Sequence, residues 1–190
     1  TAFNNGGSNQ IQFWSAPACI TFYGMFNSCT NYNQPLTNLY TTPTTANSCI
    51  MDLMFSSCSV FNQDVSNFDV SKVISMTYMF SYNLAFNNAG VSLAAWNAPN
   101  VTSFSNMFLG CTNFNQPLGN LLNVDLMNTT PRDLSFMFYN TILFNQNLGN
   151  WNVNYVTTMS GMFRGASAFN NGGSNTIKNW AARNCSSFNL

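Results

Sequence analysis

A chain of 190 residues with only 5% charged side chains, no net charge, no His and no Glu lacks the groups that most enzymes use. With five scattered Asp as its only acids, no acid–base pair and no activated nucleophile can be assembled, so a non-enzymatic role is expected. Disorder is excluded too, because 46% of the residues are hydrophobic and 15% aromatic, whereas disordered chains combine low hydrophobicity with high net charge.

No basic stripe exists to neutralise phosphates, so nucleic acid is not an expected partner. No apolar run reaches the ~18 residues of a membrane helix, so this segment is not expected to insert. Neither a starting Met nor a secretory n/h-region opens the sequence, which is expected to be a mature or excised piece from which a leader could have been removed.

Taken in chain order, the sequence is repeat throughout. Phe3-Asn4 opens it. Six Met-Phe dipeptides come after it, at Met25-Phe26, Met54-Phe55, Met79-Phe80, Met107-Phe108, Met137-Phe138 and Met162-Phe163, with spacings of 29, 25, 28, 30 and 25. Some residues after each comes an aromatic–Asn pair: Tyr32-Asn33, Phe61-Asn62, Phe86-Asn87, Phe114-Asn115, Phe144-Asn145 and Phe169-Asn170. Phe188 ends the series where another Met-Phe is due.

Each unit divides in two. Val101, Phe104, Met107 and Phe108 lie at i, i+3 and i+6/i+7, which predicts a short helical turn; Val73, Met76 and Met79, then Val156, Met159 and Met162, hold the same slots. Phe61-Asn-Gln63-Asp-Val65 alternates apolar and polar, which predicts a strand, with cognates running through Leu36, Leu118 and Leu148. A short β-strand plus a short helical turn per row predicts a leucine-rich-repeat-like solenoid of about seven rows with a parallel strand stack. Residues 1–190 form its single domain.

A longer period overlies the first. Phe3, Phe86 and Phe169 are followed by Asn-Asn and lie 83 residues apart, while the other four aromatics are followed by Asn-Gln. The insertions keep this order: Thr41 to Asn47 and Val124 to Pro131 lengthen only the Asn-Gln-Pro units. The expected modules are 1–83 and 84–166, each of three rows, with a third begun at 167–190.

Two stretches carry a family resemblance. They are Met107-Phe-Leu-Gly-Cys111-Thr-Asn-Phe114-Asn-Gln-Pro-Leu118 and Asn150-Trp-Asn-Val153-Asn-Tyr-Val-Thr-Thr-Met159-Ser-Gly-Met-Phe163. They resemble the surface-protein repeat of about 25 residues found in mycoplasma and other bacterial lipoproteins, large DNA viruses and protists, related to the BspA-like leucine-rich repeats. The resemblance implies a surface-exposed solenoid with adhesive or scaffolding roles and no catalytic residues. Phe68, Leu39 and Leu121 depart from it, standing where Trp is usual.

Several columns are candidate sites. The Asn column (Asn4, Asn33, Asn62, Asn87, Asn115, Asn145, Asn170) is read as a structural ladder that satisfies polar groups buried by the coil. The Gln column (Gln34, Gln63, Gln116, Gln146) is read in the same way. Asn4-Asn5-Gly6-Gly7-Ser8-Asn9 and its copy at Asn170 have no Asp to hold a calcium ion, and are read as plain turns. Cysteines without His or CxxC make a metal site unexpected, so no metal and no cofactor is expected. Rows about 5 Å apart would permit bridges Cys29–Cys58 and Cys19–Cys49; free buried thiols acting as small hydrophobes are the other reading. Sequons at Asn100, Asn128 and Asn184 line one corner of the coil as candidate N-glycosylation sites.

Both ends of the series fall inside a row and expose apolar rows, which predicts either a window on a longer array or self-association through open solenoid ends. The expected function is therefore an extracellular or particle-surface structural protein able to stack end to end into filaments. The alternative is an adhesin whose surface, on the cell or virion exterior, recognises protein or glycan ligands. An ice-binding solenoid would need flat Thr ranks, and the Thr residues here cluster in the insertions instead.

Overall fold

The computed structural model describes residues 3–41, 43–44, 48–122, 129–182 and 184–186. Successive repeats lie side by side as rows. Thr21 bridges to Ile50; Cys49–Ile50 (β1) pairs with Val73–Ser75 (β2); Ser75 bridges to Ser103 and Ser103 to Asp133; Arg132–Asp133 (β3) pairs with Val156–Thr158 (β4). Every one of these pairings is parallel, so one ladder crosses six consecutive repeats.

The strand lies where a helical turn was expected. Val73–Ser75 is extended, and the residues after it form a chain of turns rather than a helix. The N–H groups of Met79, Ser81 and Asn83 return to the carbonyls of Met76, Tyr78 and Phe80, while those of Tyr78, Phe80 and Tyr82 cross to Ser105, Met107 and Leu109 of the following row. Alternate residues thus close their own turn and tie down the next row. The i→i−3 closure spaces the inward side chains by three, which imitates a helical stripe in the sequence.

This path needs a left-handed residue at the third position of every other turn, as a type II turn does. In the first slot stand Gly24, Leu53, Tyr78, Asn106, Phe136 and Gly161, with φ between 55° and 60°. Ser28, Ser57, Tyr82, Gly110, Asn140 and Gly165 fill the second slot. Left-handed backbone costs a non-glycine residue roughly 1–2 kcal/mol.

The segment expected to be a strand, Phe61 to Val65, carries no backbone ladder. Side chains replace it. Asn33 Oδ1 accepts from the Asn62 N–H at 2.9 Å, Asn62 from Asn87 at 2.8 Å, Asn87 from Asn115 at 2.9 Å, Asn115 from Asn145 at 2.9 Å and Asn145 from Asn170 at 2.8 Å. The neighbouring Gln reinforces three steps, with Gln63, Gln116 and Gln146 Nε2 donating to the Asn of the preceding row.

Where Asn replaces Gln, the turn differs. Asn88 Oδ1 accepts from the Val65 N–H of the row before, and its Nδ2 donates to the Val91 carbonyl of its own turn. Asn171 does the same with Leu148 and Ser174. The turns Asn5–Gly7, Asn88–Gly90 and Asn171–Gly173 are all single 3₁₀ turns with matching dihedrals.

The core is columnar. Phe26, Phe55, Phe80, Phe108, Phe138 and Phe163 stack with centroids 5.5–5.7 Å apart and planes within 6°. Tyr32, Phe61, Phe86, Phe114, Phe144 and Phe169 form a second column, and the two meet inside each row at 3.9–4.3 Å. Centroid spacing above the ~4.8 Å strand separation means that the rings are offset along the column, the geometry favoured by their quadrupoles. Burying one such ring contributes roughly 1.5–3 kcal/mol. Leu39, Phe68 and Leu121 are buried and make the same i→i−3 bond as Trp96 and Trp151, so they fill the Trp slot.

Candidate functional site

The inward columns are occupied with holding rows together. Cys58 Sγ donates to the Phe26 carbonyl of the preceding row at 2.8 Å, and Cys111 to Phe80 at 2.8 Å; Thr141 Oγ1 makes the same bond to Phe108 at 2.7 Å. No disulfide joins any of the six cysteines. The bridges raised for Cys29–Cys58 and Cys19–Cys49 are not formed: Cys58 points its thiol at a carbonyl, and Cys19 Sγ lies 3.0 Å from the Thr21 carbonyl. Burial pushes the Cys49 thiol up to about 11 and the Cys58 thiol up to about 12, and raises Cys29, Cys111 and the Tyr32 hydroxyl as well. These are poor nucleophiles, because it is the thiolate that reacts.

The sequon residues have structural partners. Asn100 Nδ2 donates to the Ser71 carbonyl and Asn184 Nδ2 to the Asn154 carbonyl, each at 2.7 Å. Thr102 and Ser186 hydroxyls donate back to Ile74 and Thr157. Both sequons thus repeat one row-to-row clasp. Asn128 lies outside the described residues.

Arg132 escaped sequence reasoning. The register shifts by one residue in β1 and in β3, so Cys49 and Arg132 take the buried slot that Val73, Val101 and Val156 fill in other rows. Its guanidinium donates to the Thr130 carbonyl at 3.0 Å and to the Pro99 carbonyl at 2.8 Å, and burial lowers its pKa. Only the register, not the residue type, could have revealed it.

One outer face does gather chemistry. Tyr78, Asn106 and Phe136 sit in consecutive rows at the left-handed slot directly before each Met-Phe, and border an open groove of about 490 Å³ with Asp133, Tyr139 and Arg164. Phe136 meets Tyr139 edge-on at 5.9 Å, and the Arg164 guanidinium lies 5.8 Å from the Tyr139 ring centre. Asp133 Oδ1 accepts from the Ser135 N–H at 2.7 Å, and Asn106 Nδ2 donates to Ser105 Oγ at 2.8 Å. Asp133 and Arg164 border the same groove, and no ion pair joins them. The signal was present in the sequence as the residue preceding each Met-Phe, but its shared column appears only once the rows are in register.

Among the described residues no group of three or more His, Cys, Asp or Glu is placed to hold a metal ion, and no helix is long and apolar enough to cross a membrane. Neither the curated proteins nor the solved structures contain a match to this chain. A family model does match, over residues 1–48, 41–131 and 120–189. With almost every repeat inside those segments, the chain belongs to the family described as Mycoplasma protein of unknown function, DUF285.

Proposed function

We propose that this chain is a leucine-rich-repeat-like solenoid of the BspA-like surface type, serving as a non-enzymatic extracellular or particle-surface scaffold that stacks end to end. The ladder carries this reading. Every row from Phe22 to Asn140 presents N–H groups to the row after it and carbonyls to the row before it, in the same four places. Any row's two edges are therefore complementary, and a heterologous contact of that kind extends without closing.

The edge of the first row adds an apolar cleft of about 560 Å³ between Trp14, Phe22, Tyr23, Met25 and Leu39. On this reading a second copy's opposite edge covers that cleft, beside Phe3, whose ring already lies 5.8 Å from that of Tyr32. Negative-stain electron microscopy and light scattering across concentration test it. Rods lengthening with concentration are expected. A monodisperse monomer at every concentration sinks the end-to-end reading.

A further inference from the structure

The outer face offers a second role that a stiff stack does not need. The left-handed slot before each Met-Phe takes glycine in two rows, Gly24 and Gly161, so the backbone itself asks for no side chain there. Three rows nevertheless place Leu53, Tyr78 and Phe136 in it, and large residues at positive φ are outliers. Strain retained where glycine is available points toward function rather than folding.

The groove that Tyr78 and Phe136 border has a definite chemical character. Rings lie beside an acceptor-only carboxylate, Asp133, and a donor-only guanidinium, Arg164. Asp133 uses one oxygen on the Ser135 N–H; the second has no protein partner among the described residues. Both Tyr78 and Arg164 are exposed. A ligand that suits this groove needs an apolar face for the rings and groups that both donate and accept hydrogen bonds.

We propose that the groove bordered by Tyr78, Asn106, Asp133, Phe136 and Arg164 is a saccharide-binding site. A pyranose has C–H faces that lie against aromatic rings, and hydroxyls that donate to Asp133 and accept from Arg164 and the Asn106 amide. About 490 Å³ lies within the ~300–1,000 Å³ of small-ligand sites. The site goes beyond the scaffold role and stands separately from it, since monomers and rods carry the same groove.

The test uses the full chain on an array of defined oligosaccharides, followed by calorimetric titration with the best binder. The key variant is Tyr78→Gly with Phe136→Gly, which removes both rings and suits the left-handed backbone. The wild type is expected to bind. The double variant is expected to lose affinity by about tenfold or more with an unchanged or higher Tm. Asp133→Asn keeps the oxygen facing Ser135 and is expected to weaken binding alone.

Four outcomes overturn the proposal. One is no binding to any saccharide up to about 10 mM. Another is binding that survives Y78G/F136G. The third is a double variant whose Tm falls, showing that the rings hold the fold. Cell attachment through the groove that withstands periodate oxidation of surface glycans assigns it to a protein partner instead, which also overturns it.

Discussion

Asn62 ties down two points of the following row: its Oδ1 accepts from the Asn87 N–H at 2.8 Å and the Ala89 N–H at 2.9 Å. Neither donor has an alternative backbone acceptor in that segment, where the ladder is made of amide side chains. Asn62→Ala is expected to lower stability by about 1–2 kcal/mol, because the part-buried Asn87 N–H loses its acceptor while the exposed Ala89 N–H can turn to water. Asn62→Asp keeps the acceptor and should recover much of the loss. Chemical denaturation of the three proteins checks the order.

The aromatic columns predict unequal responses along the stack. Phe108 lies between Phe80 and Phe138 and against Phe114 at 4.1 Å. Phe108→Ala is expected to cost about 3–5 kcal/mol. Stability in such an array is a sum of nearest-neighbour terms, so the cut should split unfolding into two phases. A single cooperative transition at lower denaturant would count against the columnar reading.

Phe136 leans over its neighbour in the next row: a Cβ at Gly161 would meet the Phe136 ring at 2.5–2.7 Å, on a backbone with φ of 60°. Gly161→Ala should therefore destabilise by roughly 2 kcal/mol, combining left-handed strain with the displaced ring. In the Phe136→Gly background only the strain remains, and the cost should fall. A double-mutant cycle reads that coupling.

The thiols predict an alkaline limit. Burial favours the neutral form of Cys49 and Cys58, whose native values rise to about 11 and about 12. A raised value in the folded state contributes stability that is complete below the unfolded value of about 8.5 and is lost as pH climbs toward the folded values. Tm should fall from pH 9 upward. Iodoacetamide at pH 8 should modify half-buried Cys19 and Cys185 well before Cys58 and Cys111, as mass spectrometry will show. Cys111→Thr should be tolerated better than Cys111→Ala, because Thr141 already makes that bond.

The repeated columns were legible because each recurs in nearly every row: the Phe stacks, the Asn ladder and the filled Trp slots at Leu39, Phe68 and Leu121 all lie where the spacing puts them. The strand and the turns exchanged places for a physical reason. From Val73 to Met79 the chain buries Val73, Met76 and Met79, three residues apart as a helix would. Phe61 to Val65 alternates like a strand while its cross-row bonds come from Asn33 and Asn62 side chains. Arg132 and the groove stayed hidden because each depends on register: a one-residue shift buries the first, and three unlike residues share a column in the second.

The direction of the row-to-row bonds has an electrical consequence. In an ordinary strand successive peptide units point opposite ways across the sheet and their dipoles nearly cancel. Here the peptide joining Thr77 to Tyr78 accepts from Leu53 behind and donates to Ser105 ahead, and the peptides at Ser75–Met76, Met79–Phe80 and Ser81–Tyr82 point the same way. Four aligned units per row, each of about 3.5 D, add along the stack, and fewer backbone units, such as those through which Thr102 and Ala85 donate back to Ile74 and Ser59, point the other way. The rows form a macrodipole with its positive pole on the C-terminal side, the reverse of an α-helix, in a chain whose side chains carry almost no charge to mask it.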